Sequence, residues 1–286
     1  MVKRFLIAYD GSTLAREAFA YAAMLAKKLG AEVHAVHVLE PSVDAALLAD
    51  PTIMTDPMMP PVVLSPADLP DAEQERADAE NLLRELGDMC QQMGVTYTHR
   101  VERGMLLDTM MAASRPTDVL ALGLKGRFRR AGVGSTTRSL VTSAPCPVLV
   151  VSGPLSPINR VLTPYDGTIP STRATIFARN LAKQAGWPLS ILAVPRDDLS
   201  LEEAIDWSQQ LAKDAQVMTL SRSLGSEAEL IERTAGADPY ALLVMGAYAD
   251  SWFKDLFAAG GGTTSHVLSH LKAPVILVPK QAKTEE

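Results

Sequence analysis

Residues 4–12 of the chain read RFLIAYDGS, and residues 160–168 read RVLTPYDGT. The similarity extends outward from this stretch, because residues 4–38 align with residues 160–194 without a gap. Identical pairs in this alignment are Arg4/Arg160, Leu6/Leu162, Tyr9/Tyr165, Asp10/Asp166, Gly11/Gly167, Leu25/Leu181, Lys27/Lys183 and Gly30/Gly186. Self-similarity of this length indicates that one structural unit occurs twice in the chain.

The ends of the two units also correspond. Residues 134–137 read GSTT and precede APCPVLV at 144–150, while residues 261–264 read GGTT and precede KAPVILV at 272–278. Between the units, residues 152–157 read SGPLSP, a composition typical of a linker between folded domains. We therefore predict one domain over residues 1–152 and a second domain over residues 153–286.

Short apolar runs alternate with helical patterns in each unit. In the first unit we predict strands at 5–9, 33–39, near 95–101, 119–122 and 148–151. The predicted helices lie between them, at 14–29, 72–93, 105–114 and from about 135. The second unit shows strands near Val161, Leu189, Val217, Leu242 and Val275. This order predicts an α/β protein of two tandem, doubly wound, Rossmann-like domains, each with a five-stranded and mostly parallel sheet.

Residues 40–70, rich in Pro, Met and Ala, have no counterpart in the second unit. We interpret them as an irregular inserted loop, which is either a flap or an insertion that the fold tolerates.

Composition restricts the class of function. The net charge of −6 argues against nucleic acid as a partner, since neutralising phosphates requires a basic face. No apolar run approaches the roughly 18 residues that cross a bilayer, so we expect no membrane span. Cys90 and Cys146 are the two cysteines, a usage that fits a reducing cytoplasm. His266 and His270 stand four apart but lack an evident third ligand, so no metal site is predicted.

The end of each first strand carries a candidate ligand group. Asp10 comes directly after this strand in the first unit, and Asp166 in the second. Each is followed by a glycine that permits a tight turn into a helix. In an open parallel sheet, ligands bind beyond the carboxyl ends of the strands. Each Asp either accepts hydrogen bonds from a ligand there or simply starts the helix that follows.

A Gly-rich segment follows the fourth strand of the first unit. Residues 123–130 read GLKGRFRR, and GST at 134–136 opens a helix. Glycines let backbone N–H groups approach phosphates, and a helix amino terminus adds free donors. The second unit has Ala249 where the second glycine belongs, with Asp250 and Asp255 in a longer loop. A site there would be altered, weak or empty.

These motifs resemble the universal stress protein family, whose ATP-binding members carry G-x2-G-x9-G-[ST] after the fourth strand and an Asp after the first. The resemblance implies ATP as ligand, alone or with Mg²⁺, and no covalent cofactor. It places Asp10 near the adenosine, Val38 beside the base, Leu122 and Gly123 along the ribose, and Gly126, Gly134, Ser135 and Thr136 at the phosphates. Our predicted set adds Ala8 and Tyr9, and in the second unit Asp166, Gly246, Gly261, Gly262 and Thr263. Seven residues, not nine, separate Gly126 from Gly134.

Two functions from different classes follow from this resemblance. The first is a cytoplasmic, nucleotide-binding stress regulator, which is not a metabolic enzyme and hydrolyses ATP slowly at most. The second is a ligand-free scaffold in which the two domains pair through their last strands, so that one chain imitates a dimer. An ATP-using transferase lacks any residue that could be assigned to the chemistry. Association of two chains, the stress sensed and the protein partner stay open.

Overall fold

The structure is a computed structural model that describes residues 1–40, 72–115, 118–124, 135–194, 198–219, 233–237, 240–246 and 273–279. The predicted insertion, apart from Glu40, lies outside the described residues. Among the described residues, no helix is long and apolar enough to cross a membrane.

The first half has the predicted order of strands and helices. Its elements are β1 (Arg4–Ala8), α1 (Thr13–Leu29), β2 (Glu32–Leu39), α2 (Ala72–Met93), β3 (Tyr97–Arg103), α3 (Leu106–Ala113), β4 (Asp118–Gly123), α4 (Ser135–Ser143) and β5 (Val148–Val151). The third strand starts at Tyr97, two residues after the predicted start near Val95. The Val95 amide donates to the Cys90 carbonyl, 2.9 Å away, and so bonds to the last turn of α2.

The second half repeats this order in its described part. Its elements are β6 (Arg160–Tyr165), α5 (Ile169–Ala185), β7 (Leu189–Ala193), α6 (Leu201–Leu211), β8 (Gln216–Thr219), β9 (Ala241–Gly246) and β10 (Val275–Val278). All five strands that the sequence predicts for this half are confirmed. The helices α1 and α5 begin alike, with Ser12 and Thr168 as the amino-terminal caps, and both end at a left-handed glycine.

The ten strands form one sheet in the order β3-β2-β1-β4-β5-β10-β9-β6-β7-β8. Neighbouring strands are parallel within each half, and β5 and β10 are antiparallel to each other, with Leu149 opposite Ile276. Each half therefore supplies the predicted five strands, and the two sets form one continuous sheet because the last strands of the halves, β5 and β10, pair with each other.

Helices cover both faces of this sheet, which confirms the doubly wound prediction. One apolar cluster joins the strands to α1, α2 and α5, and α6 packs on the same face. The second cluster joins the opposite face to α3 and α4 through residues such as Met110 and Leu140. Buried side chains on both faces of the parallel strands explain why those strands read as continuous apolar runs.

The linker between the halves is held against α1. The Tyr21 hydroxyl lies 3.0 Å from the Pro154 carbonyl oxygen and accepts a hydrogen bond from the Ser156 amide at 2.9 Å. On the other side, the Gln184 side chain at the end of α5 bonds both backbone groups of Val2 and the Leu29 carbonyl. These contacts fix the halves to each other independently of the sheet.

A buried ion pair joins β1 to β4 at their amino ends. The Arg4 guanidinium donates to both carboxylate oxygens of Asp118, at 3.0 and 2.6 Å, and also to the Ala113 carbonyl at 2.8 Å. The Arg4 and Asp118 side chains are 9% and 1% exposed. In the second half the corresponding strand pair places Ala241, and not an Asp, opposite Arg160, which is exposed.

His34 should make the protein less stable in mild acid. Burial lowers the pKa of His34 to about 4, and the charges of Arg4 and Arg100 act in the same direction. The imidazole is also bonded to the Thr98 hydroxyl at 2.7 Å. Its pKa in the unfolded chain is about 6.5, so between these values the unfolded chain binds more protons than the folded one. The contribution of neutral His34 to the free energy of unfolding is therefore fully present above about pH 6.5 and is lost as the pH falls towards 4.

We expect His34→Asn, which retains a hydrogen-bonding group for Thr98, to reduce this dependence. Urea unfolding of both proteins at pH 7.5 and 5.0 measures it, and the wild type should lose more unfolding free energy than the variant. Equal losses in the two proteins would show that other groups carry the acid sensitivity.

Candidate functional site

The candidate site of each half lies where the strand order reverses. In the first half the chain runs from β1 to β2 and β3 on one side, and then returns to β4 and β5 on the other. In the second half β6 and β9 are the corresponding neighbours. The carboxyl ends of such a strand pair, with the loops that follow them, form the crevice in which open α/β sheets bind ligands.

The turn after β1 brings Asp10 to this crevice. One carboxylate oxygen of Asp10 accepts from the Ser12 amide at 3.0 Å, and the Ser12 hydroxyl accepts from the Ala15 amide at 3.2 Å. Gly11 between them has a φ of +74°, a conformation that disfavours other residues. Asp10 therefore supports the start of α1 through one oxygen, and its partly exposed carboxylate also lies at the crevice. The two interpretations of this Asp are compatible.

Gly123 brings the end of β4 against the first turn of α1. A β-carbon placed on Gly123 would lie 2.8 Å from Leu14 Cβ and 2.9 Å from the Leu14 carbonyl carbon. The second half repeats this contact, because a β-carbon on Gly246 would lie 2.7 Å from the backbone of Pro170. Leu14 and Pro170 occupy the same position in the gapless alignment. The contact holds the Asp-Gly turn beside the end of the fourth strand.

Leu14 and Pro170 were not predicted from the sequence to be part of the site. Their side chains carry no chemistry that would mark them as ligand groups. The available signal was positional, since each occupies the first turn of a helix that follows an Asp-Gly pair.

The other predicted residues of the first strands divide between the two faces of the sheet. Ala8 and Val38 are partly buried and pack with Leu122 on the face covered by α3 and α4. The Tyr9 side chain lies on the opposite face, 4% exposed, with its ring edge towards Phe19 at 6.4 Å between centroids. Burial raises the pKa of Tyr9, and Arg16 partly opposes that shift. The structure thus places the Tyr9 side chain in the core, away from the crevice.

A hydrogen bond joins the start of α4 to the end of β4. The Thr137 hydroxyl donates to the Gly123 carbonyl at 3.3 Å and so holds the start of α4 against the end of β4. Ser135 and Thr136 form the first turn of α4, as predicted, where backbone N–H groups lack partners within the helix. Gly126 and Gly134 lie outside the described residues.

The second half holds its Asp more firmly within its own turn. One oxygen of Asp166 accepts from both the amide and the hydroxyl of Thr168, at 3.0 and 2.6 Å. The neighbouring Gly167 lies under Leu199 and Trp207, since a β-carbon there would be 2.5 and 3.3 Å from those side chains. Gly246 ends β9 as predicted, while Gly261, Gly262 and Thr263 lie outside the described residues.

Reactive groups are scarce in the described part of the chain. Burial raises the pKa of Cys90 to about 11 and that of Cys146 to about 12, so both thiols stay protonated at neutral pH. No group of three or more His, Cys, Asp or Glu side chains could hold a metal ion among the residues described. The crevice is therefore organised by backbone turns, one carboxylate and a helix amino terminus.

A duplicated α/β unit with an Asp-Gly turn beside a glycine-ended fourth strand defines a tandem protein with one crevice in each half. The family model described as the universal stress protein family matches residues 1–152 and again residues 157–279. The chain belongs to the universal stress protein family, in the form that carries two units in one chain.

Known proteins agree with this assignment. The universal stress protein Slr1230 of Synechocystis is 26% identical over 292 residues, which cover 96% of this chain and 99% of the relative. A universal stress protein structure from Archaeoglobus fulgidus superposes with a TM-score of 0.69 at 17% identity, over 96% of each chain. A protein of Pseudomonas aeruginosa described as functionally unknown, PA1789, superposes with a TM-score of 0.55 at 16% identity, over 98% of this chain and 93% of that one. The two structural matches extend the likeness in fold across both halves.

Proposed function

We propose that this protein is a nucleotide-binding stress regulator of the cytoplasm that binds ATP, with or without Mg²⁺, in its first half. The observation that carries the proposal is the contact of Gly123 with Leu14, which holds the Asp10 turn beside the start of α4. The Asp10 carboxylate accepts hydrogen bonds from the nucleoside. The backbone N–H groups at the start of α4, with the glycines and arginines of residues 123–134, hold the phosphates.

The two domains of this proposal comprise residues 1–152 and 153–286, and the second binds nucleotide weakly or not at all. Asp166 already accepts two hydrogen bonds from Thr168, and Ala249 replaces a glycine of the phosphate segment. A methyl group at that position and the acidic residues of the same loop oppose a close approach of phosphates.

Binding without turnover is the proposed activity of the first half. Hydrolysis of ATP needs a group that positions or activates a water, and the proposal assigns that role to no residue of the crevice. We therefore propose slow hydrolysis at most. Occupancy of the crevice would then act on a protein partner.

A second candidate function is a ligand-free scaffold built on the paired halves. The antiparallel contact of β5 with β10 favours it, because this contact joins the two halves in one continuous sheet without any ligand. In this function the surface of the joined sheet, and not nucleotide occupancy, selects the partner.

Calorimetric titration of the full chain with Mg-ATP tests these alternatives, after removal of any co-purified nucleotide. We expect one site per chain. Asp10→Asn keeps an oxygen for the Ser12 amide but removes the charge, so affinity should fall about tenfold or more, the worth of a charge-assisted hydrogen bond. Asp166→Asn is the matched control in the second half and should leave the titration unchanged.

Other results would redirect the proposal. A second site that disappears in Asp166→Asn would show that the second half binds nucleotide as well. No heat and no thermal stabilisation of a folded wild-type protein would exclude nucleotide binding and favour the scaffold.

A further inference from the structure

The second half carries hydroxyl groups in its core at positions where the first half is apolar. The gapless alignment pairs Ile7 with Thr163 and Phe19 with Thr175. Thr163 lies on β6 and Thr175 on α5, two elements that pack against each other, and both residues are 0% exposed. The first half presents only hydrocarbon at the two corresponding positions.

These two hydroxyls have no hydrogen-bond partner among the residues that the structure describes. A third buried hydroxyl on the same helix behaves differently, since Ser171 donates to the Thr168 carbonyl at 2.9 Å. Burying a hydroxyl without a partner costs about 1–3 kcal/mol, so such groups are nearly always satisfied by protein or by ordered water. Two of them in one helix–sheet interface therefore require an explanation.

The side chain at one of these positions is also smaller than its counterpart in the first half. In the first half the Phe19 ring fills the space beside Tyr9, with 6.4 Å between the ring centroids. In the second half the corresponding neighbour of Tyr165 is the much smaller Thr175. An internal water needs a polar site with space of roughly 30 Å³ and two to four hydrogen-bonding partners. The exchange of a phenyl ring for a hydroxyl-bearing side chain lowers the side-chain volume and adds a polar group at this position.

We propose that the second half binds an internal water between β6 and α5, bonded to both Thr163 Oγ1 and Thr175 Oγ1. The water satisfies both hydroxyls within the helix–sheet interface. It has no equivalent in the first half, where Ile7 and Phe19 close the same space.

The valine variants Thr163→Val and Thr175→Val test this site, because valine has nearly the shape of threonine and lacks the hydroxyl. If each hydroxyl bonds the water, each variant should lower the thermal midpoint by about 2–4 °C, the shift expected for the loss of one net hydrogen bond in a protein of this size. If the hydroxyls are unsatisfied, each variant should raise the midpoint instead. Thr219→Val, on the exposed end of the edge strand β8, is the matched control and should have little effect.

The double variant shows whether one water joins both residues. Its loss should be clearly smaller than the sum of the single losses, since the second substitution acts on a site that is already broken. A raised midpoint in either single variant, or additive losses in the double variant, would overturn the proposal. High-resolution diffraction gives an independent test that needs no variant. Density within hydrogen-bonding distance of both Oγ1 atoms is expected, and none there would overturn the proposal as well.

Discussion

Asp118→Ala should lower the unfolding free energy by about 3–5 kcal/mol, the largest stability loss that we expect from one substitution in this chain. Asp118 is 1% exposed and accepts two hydrogen bonds from Arg4, together with a third from the Arg115 amide at 2.6 Å. Its removal leaves the Arg4 guanidinium buried, with the Ala113 carbonyl as its remaining hydrogen-bond partner among the described residues. Urea unfolding at neutral pH measures the loss.

Two further variants distinguish the cost of leaving a buried charge unpaired from the loss of an ion pair. The double variant Arg4→Met with Asp118→Leu removes both charges and should recover most of the lost stability, because an apolar pair of similar size avoids the cost of desolvation. Glu102→Ala breaks the Arg100–Glu102 pair, whose side chains are each 41% exposed, and should cost about 1 kcal/mol or less. A loss for Asp118→Ala no greater than that for Glu102→Ala would contradict the assignment of a buried charge.

The repeat made the fold predictable from the sequence. Residues 4–12 and 160–168 each contain an apolar strand, an Asp-Gly turn and a helix cap, so the local structure is determined within nine consecutive residues. The repeated order of apolar runs and helical patterns predicted every strand of the second half. The junction of β5 with β10 was expected from the family resemblance alone, because Val148–Val151 and Val275–Val278 are short apolar strands whose own residues do not specify a neighbour.

The site was predictable in part. Asp10 and Gly123 follow strand ends, and parallel strands bring their carboxyl ends to one edge, so sequence position alone places both at the crevice. The burial of Tyr9 follows from the alternation of side chains along β1, which directs Ile7 and Tyr9 to the face opposite Leu6. The contact of Leu14 with Gly123 is different in kind. It depends on how closely α1 packs on β4, a distance that no local pattern encodes.

The two halves share one fold and differ in the polar side chains that are buried in their cores. The buried pair of Arg4 with Asp118 lies in the first half, and the buried hydroxyls of Thr163 and Thr175 lie in the second. Sheet, helix caps and the glycine contact at the crevice are common to both. The duplicated features are thus those that the backbone path requires, whereas the polar groups inside each half have diverged.

Gly123→Ala should weaken Mg-ATP binding at least about tenfold and also destabilise the fold by about 1–3 kcal/mol. The added methyl group would lie 2.8 Å from Leu14 Cβ and 2.9 Å from the Leu14 carbonyl carbon, and one of these is backbone that cannot rotate away. The first turn of α1 must therefore move from β4 and take the Asp10 turn with it. That movement breaks the alignment of the Asp10 carboxylate with the start of α4, on which nucleotide binding depends. Titration calorimetry measures the affinity, and urea unfolding measures the stability.

Gly246→Ala distinguishes a local effect on the binding site from general damage to the fold. Its methyl group would lie 2.7 Å from the Pro170 backbone, so its cost in stability should be similar. Because this contact belongs to the second half, the affinity for Mg-ATP should stay that of the wild type. Gly236→Ala, where a β-carbon meets no atom within 4 Å, should change neither quantity. Equal losses of affinity in Gly123→Ala and Gly246→Ala would mean that binding follows overall stability, and wild-type affinity in Gly123→Ala would remove this contact from the nucleotide site.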